Sequence, residues 1–308
     1  MMDLRMARVL VSGTSGLIGS ALAPALKASG AQVVRLERST ATRTEHADEE
    51  ERLTWDLASP LAAEVVSGFD GVIHLAGESI MGRWTDAKKT KIRNSRVTST
   101  MNLARALAKA TDKPRVFICA SAIGYYGNRG DEVLREESAA GAGFLPEVCR
   151  QWEASTKAAF DAGIRTVNLR TGVVLSAKGG ALKAMLTPFK LGLGGRIGNG
   201  RQWMSWIDLE DMAGAILHIL KTDLLQGPVN MVAPRPVANA EFTKTLAGVL
   251  SRPAIFPMPA FAARLAFGEM AEELLLGSQR VEPAKLTASG YPFRFRELKA
   301  SLENAKAQ

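Results

Sequence analysis

Cysteine is nearly absent: Cys119 and Cys149 are the only two in 308 residues. Cys119 lies in the apolar run RVFICAS, so no structural disulfide is expected. Two cysteines and three scattered histidines also cannot build a four-ligand metal site. Long apolar runs are missing as well. No stretch of about 18 apolar residues occurs, so nothing should span a membrane and no membrane partner is expected. The opening MMDLRMARVLVSGTSG passes straight into a strand-and-turn pattern without a signal-peptide cleavage region, which predicts a cytoplasmic protein. The net charge is +8, yet no basic block is interleaved with aromatics. That argues against nucleic acid and leaves a multiply phosphorylated small molecule as a counterpart for the charge. Tyrosine is scarce, and two of the three stand side by side as Tyr125 and Tyr126 in ASAIGYYGNRG. A phenol with a pKa of roughly 10 works as an acid or base only if something pulls that value down.

What is present is an alternation of apolar runs with helical patterns over the first 170 residues or so. ARVLVSG reads as a buried strand, LIGSALAPALKASG as a helix closed by Gly30, and AQVVRLE as a second strand. A polar stretch from Ser39 to Glu51 reads as a loop. RLTWD, GVIHLAG, RVFICAS and RTVNLRTG continue the strands, with helices over about 84–109 and 144–161. Such alternation predicts an α/β, Rossmann-type doubly wound parallel sheet. After Gly172 the rhythm becomes glycine-rich, then mixed. The expected division is a cofactor domain over 1–171 and a smaller substrate-side portion with the C-terminal tail over 172–308, packed on the first and interleaved with it.

Gly13, Gly16 and Gly19 in GTSGLIG sit between the first strand and the first helix. The first permits a tight turn, the second lets phosphate approach the backbone, and the third lets helix pack on strand. The helix N-terminus then offers free N–H groups to a pyrophosphate. The turn as a whole, Gly13, Thr14, Ser15, Gly16, Leu17, Ile18 and Gly19, is therefore assigned to a dinucleotide. The second strand ends in QVVRLERST, where Glu37 would accept from a ribose 2′-OH and mean NAD. Arg38, with Ser39 beside it and Arg43 nearby, would instead receive a 2′-phosphate and mean NADP. Strand alternation lets only one of Glu37 and Arg38 meet the ribose, and the basic excess of the chain favours Arg38.

The GxxGxxG spacing resembles the extended short-chain dehydrogenase/reductase superfamily. RLTWDL is similar to its adenine-contacting Asp and neighbour, at Asp56 and Leu57. DGVIHLAG is similar to its D-x-V-x-H-x-A-G strand beside the cofactor, which points to Leu75, Ala76, Gly77 and the following Glu78. SAIGYYG, VNLRTGVVL and GNGRQWMSWIDLEDMAGAI resemble later segments of the superfamily. HLAGESI, RWTD, IRNSRV, VCRQWEA, PFKLGLGGRIGNGRQWMSWI and the tail LLLGSQRVEPAKLTASGYPF together resemble the epimerase family proteins over almost the whole chain. These are atypical extended members with a characteristic C-terminal tail. The resemblance implies a cofactor-binding fold, and it implies Lys91 as a cofactor neighbour.

The superfamily's proton relay uses Ser or Thr, Tyr and Lys, with an Asn behind them. Tyr and Lys stand four apart on one helix, so that the ammonium depresses the phenol pKa. Counting back from LRTG puts Leu145 at the Tyr position and Cys149 at the Lys position. Arg96 falls where the Asn is expected, and Ala122 where the Ser often sits, with Ser121 just before it. The standard relay is missing. Arg129 stands four residues after Tyr125, but GYYGNRG is a loop, so the two are no substitute for it. Three residues remain as proton carriers: Tyr126, Ser121 and Glu153.

Two of them have a plainer reading. Tyr126 lines a pocket or packs, and Glu153 makes an i,i+4 ion pair with Lys157. Tyr126 is expected to face the nicotinamide cleft and Tyr125 to pack away from it, as neighbours on an extended strand end do. Arg96 is expected to contact cofactor or substrate. Cys149 reads as inert, and His74 as packed or hydrogen-bonded. Trp152, Trp203 and Trp206 suit either a pocket wall or the core.

Two functional readings follow. One is an NADP-dependent oxidoreductase or epimerase acting on a small polar substrate, a sugar or nucleotide-sugar being one class. The other is an NADP-binding sensor or interaction protein without turnover. The sequence names neither the substrate nor an oligomeric state.

Overall fold

The computed structural model describes residues 2–38 and 51–307. Ser39 and Arg43, expected beside the cofactor, lie outside the described residues. The first strand, β1 (Arg8–Ser12), is almost wholly buried, as RVLVS requires when both sheet faces are covered. Helix α1 (Leu17–Ala28) follows, and then β2 (Gln32–Arg38), β3 (Arg52–Trp55) and β4 (Gly71–His74). Helix α2 (Asp86–Lys109) is capped by Thr85, whose side chain accepts from the Lys88 N–H. Strand β5 (Val116–Ala122) runs into a single 3₁₀ turn, Ile123–Tyr126. The helix expected over 144–161 occurs as α3 (Phe144–Ala154) and a separate short helix, Lys157–Asp161.

These strands form a seven-stranded parallel sheet in the order Gly227–Met231, Arg165–Thr171, β5, β4, β1, β2, β3. The chain builds outward from β1 through β2 to β3, then returns to start β4 on the other side of β1. The crevice between the C-terminal ends of β1 and β4 is therefore the topological switch point, where open α/β sheets bind ligands. One face of the sheet is covered by α1 and the helix Leu209–Lys221, through Leu22, Leu26, Met212, Ile216 and Ile219. The other face is covered by α2 together with Trp152 and Ala159. The edge strand Gly227–Met231 and the Leu209–Lys221 helix thus come from the chain after residue 172.

The C-terminal tail is tied to the remainder by long-range bonds. The backbone N–H groups of Arg294 and Phe295 donate to the buried Asp211 carboxylate at 2.8 Å each, and Ser205 and Gln279 are joined by a 2.8 Å bond. A further apolar cluster joins Trp84, Ile92, Leu145 and Val148 to Met270 of the tail. Among the described residues no helix is long and apolar enough to cross a membrane.

Candidate functional site

The glycine turn stands at the switch point. Gly13 has φ +76, and a Cβ there would lie 2.8 Å from the backbone of Leu75 and Ala76. The turn and the end of β4 are thus in direct backbone contact, which only glycine permits. At Gly19 a Cβ would lie 2.2 Å from the Gly13 carbonyl oxygen, so α1 packs as close to the turn as glycine allows. Gly16 is exposed and caps α1 with no side chain, and the first turn of the helix carries no acid. The first-turn amides therefore face outward without a capping group and suit a pyrophosphate. Thr14 is buried in the turn, Ser15 is exposed, and Leu17 and Ile18 are half-buried. A methyl group at Gly180 would touch Leu17 Cδ2 at 3.1 Å, so the glycine-rich segment after residue 172 reaches this turn.

Beneath the turn, His74 is fully buried between two serines. Ser12 Oγ lies 2.6 Å from its Nδ1, and Ser99 Oγ lies 3.1 Å from its Nε2. The Ser99 hydroxyl donates to the Ser95 carbonyl at 2.7 Å, so it accepts from an Nε2–H, and Nδ1 accepts from Ser12. Burial pulls the imidazole pKa down to about 4, which keeps the ring neutral.

At the end of β2, Glu37 and Arg38 separate as alternation requires. Glu37 turns to Arg52 of β3, 3.8 Å away, while Arg38 is exposed. Arg38, Lys88 and Lys91 all act on the Glu78 carboxylate. The Lys88 bond at 2.8 Å is the main cause of its lowered pKa, with the charges of Arg38 and Lys91 adding to it. Arg96 Nη2 donates to the Glu78 carbonyl at 2.9 Å, and its guanidinium lies 5.1 Å from the Trp152 ring centroid. A Cβ on Gly77 would sit 3.4 Å from that guanidinium. Arg96, expected where the relay Asn would stand, is therefore a stacked cation that holds the Leu75–Glu78 backbone. Asp56 is exposed at the end of β3, and its carboxyl is lowered by the Ser59 hydroxyl bond and the Ala58 N–H; Leu57 is half-buried beside it.

The three residues expected as proton carriers are arranged differently from the expectation. Tyr126 does not face a cleft. It is fully buried, donates to Asn230 Oδ1 at 2.7 Å and accepts from Arg170 Nη1 at 3.0 Å. Burial pushes its phenol up to about 12, against the opposing pull of Arg170. The cause is local. Residues 123–126 form a 3₁₀ turn, so the two-fold alternation of a strand does not apply, and Tyr125 is the more exposed of the two. Tyr125 stacks on the Arg170 guanidinium at 3.5 Å.

Glu153 does not pair with Lys157, which binds Asp161 instead. Both Glu153 oxygens accept from Arg170, at 2.8 and 2.9 Å, and Oε1 also accepts from the Ser121 hydroxyl at 2.7 Å. Burial alone would lower the Arg170 pKa; the Glu153 bonds and charge outweigh that and raise it. Ser121, Glu153, Arg170, Tyr126 and Asn230 are therefore one buried polar chain. Leu145 and Cys149, expected at the positions of the missing Tyr and Lys, are buried against the 123–126 turn. Burial pushes the Cys149 thiol up to about 12, well away from a reactive thiolate.

Trp206 is core, with its Nε1–H on the Arg235 carbonyl at 2.9 Å. Trp152 donates to Thr100 at 2.9 Å. Trp203 is half-buried and donates to Asp131 at 2.8 Å.

Arg170, Glu273, Asn230 and Lys88 escaped the sequence reading. Arg170 was legible in part, as an arginine inside a strand otherwise apolar enough to be buried, where a charge needs a partner. Glu273 of the tail had no local signal. Its carboxylate accepts from the N–H groups of Phe144 and Leu145 at 2.8 and 2.7 Å, capping α3 from 129 residues away.

Comparison with known proteins agrees with this arrangement. Residues 9–231 match the NAD dependent epimerase/dehydratase family, and residues 258–305 match a domain of unknown function, DUF1731. An epimerase family protein of Mycobacterium leprae is 42% identical over 98% of this chain and 96% of its own. The crystal structure of a human epimerase family protein with NADPH is 35% identical, with a TM-score of 0.87 over 98% of this chain and 100% of that one. A nucleoside-diphosphate sugar epimerase of Corynebacterium glutamicum is 37% identical, with a TM-score of 0.80 over 98% of this chain and 58% of that one.

Proposed function

The chain belongs to the NAD dependent epimerase/dehydratase family, and from that premise we propose that it binds NADPH and acts as an oxidoreductase or epimerase on a small polar substrate. The observation that carries the cofactor choice is at the end of β2. Glu37, which would favour NAD, is engaged with Arg52, whereas Arg38 is exposed and can fork onto a 2′-phosphate. The human relative solved with NADPH supports the same choice. When bound, the cofactor supplies hydride chemistry at its nicotinamide ring.

The residues of this chain have separate duties. The Gly13–Gly19 turn and the first-turn amides of α1 hold the pyrophosphate. Arg96, through the Glu78 carbonyl, fixes the Leu75–Glu78 segment that borders the cofactor. Ser121 Oγ is the group that exchanges a proton, with Glu153 behind it and Arg170 holding both Glu153 oxygens in place.

A second reading has its own observation. Leu145 and Cys149 remove the Tyr and Lys of the relay, and Met270 of the tail packs in the apolar cluster that contains Leu145. An NADPH-binding sensor without turnover needs no proton carrier. One experiment separates the two. NADPH and NADH are titrated against the protein, and the NADPH complex is then offered panels of carbonyl compounds and nucleotide-sugars while the nicotinamide absorbance is followed. Turnover of any panel member supports the enzyme, tight NADPH binding with none supports the sensor, and tighter NADH binding overturns the assignment of Arg38.

A further inference from the structure

Two acid-free stretches of the chain meet on one surface far along the sequence from the glycine turn. No Asp or Glu occurs over 162–207, and none over 242–268. The backbone joins them side by side: the Phe256 N–H donates to the Gly194 carbonyl at 3.2 Å, Met258 to Arg196 at 2.9 Å, and Gly198 to Met258 at 2.9 Å. On this seam large apolar side chains stand in solvent. Ile255 is 71% exposed, Leu191 68%, Leu193 57% and Phe256 55%. The next helix, Ala260–Phe267, adds Phe261 and Leu265, four apart on one face and 70% and 77% exposed. Exposed apolar residues gathered in this way mark an interaction surface.

Their neighbours are cations. Lys190, Arg196, Lys244 and Arg252 are all exposed. Arg196 and Lys244 line a concavity of about 430 Å³ together with Ala247, Ala254, Ile255 and Pro257. Its size and its two cations suit a phosphate headgroup lying over an apolar floor.

From this surface we infer that the protein docks on an anionic phospholipid bilayer. The apolar side chains enter the acyl boundary, and the lysines and arginines take the headgroups, as on proteins that lie in the interface plane. A second copy of the chain fits less well, because a two-fold contact would set this cation-rich face against itself and oppose cation to cation. Nucleic acid fits less well because most of the protruding side chains, Leu191, Leu193, Ile255 and Leu265, are aliphatic and offer bases no stacking surface beyond Phe256 and Phe261. Among the described residues no helix is long and apolar enough to cross a membrane, and that does not bear on a face that lies on the membrane.

The test is sedimentation of the full-length protein with vesicles of phosphatidylcholine alone and of phosphatidylcholine mixed with phosphatidylglycerol. The protein should partition onto the mixed vesicles, not onto the neutral ones, and salt should release it. Replacing both cations of the concavity, Arg196→Ala with Lys244→Ala, should lower the partition coefficient about thirtyfold, since each cation near an anionic surface contributes about a fivefold effect. Ile255→Ser with Phe256→Ser should lower it further without changing cofactor binding. Equal binding to both vesicle types, or none to either, would overturn the inference. So would light scattering that finds a dimer in the absence of vesicles and a monomer for the Ile255→Ser, Phe256→Ser protein, which would assign the face to a second copy.

Discussion

Acidification should loosen the cofactor turn through His74. The neutral imidazole accepts from Ser12, the last residue of β1, at 2.6 Å, and that serine directly precedes Gly13. In the folded protein the ring takes a proton only at about 4, against 6.5 for a free histidine. The unfolded chain binds that proton first, so the contribution of His74 to stability is complete above about pH 6.5 and is lost as pH falls through 4. Two and a half units at 1.36 kcal/mol each amount to roughly 3 kcal/mol, a large share of the stability of an ordinary domain. Protonated Nδ1 can no longer accept the Ser12 hydroxyl, so affinity for the turn's ligand should hold down to about pH 5 and fall only as pH approaches 4, where the folded ring itself takes the proton. NADP⁺, which tolerates acid, serves as the probe.

Two measurements check this. Urea midpoints across pH 4–7 should show a slope that His74→Gln removes. Proton NMR of the three histidines should show one ring that does not titrate above pH 5. A His74 ring titrating near 6.5, or an unchanged slope in the variant, would refute the reasoning.

Three further outcomes are expected. Arg38→Asp should weaken NADPH binding by roughly 1.5–3 kcal/mol, the range for hydrogen bonds to charged groups, and spare NADH; calorimetric titration with both cofactors reads it. Tyr126→Phe should destabilise the protein by about 1–3 kcal/mol, because Asn230 Oδ1 and an Arg170 N–H lose their buried partner; a variant of unchanged stability whose only defect is turnover would restore Tyr126 as a proton carrier. Glu273→Ala removes both bonds that cap α3, which should cost about 2 kcal/mol and speed hydrogen exchange at Phe144 and Leu145; unchanged exchange would show that the tail does not hold the helix.

The glycine turn, the strand–helix alternation and the separation of Glu37 from Arg38 were legible in the sequence because each follows from rules that act within a few residues. A positive φ selects glycine, close helix–strand packing selects it again at Gly19, and a strand alternates its side chains. The same locality explains the failure at Tyr125 and Tyr126. Whether Ala122 continues as strand or turns into a 3₁₀ segment decides which ring is inside, and the packing of α3 against Gly124 decides that. Buried charge obeys no local rule at all. Arg170 had to find Glu153, Tyr126 found Asn230 104 residues away, and α3 found its cap in Glu273. A charge or donor taken out of water must be paired wherever along the chain a partner lies, so only the folded chain could show which residues are paired and which remain available for chemistry.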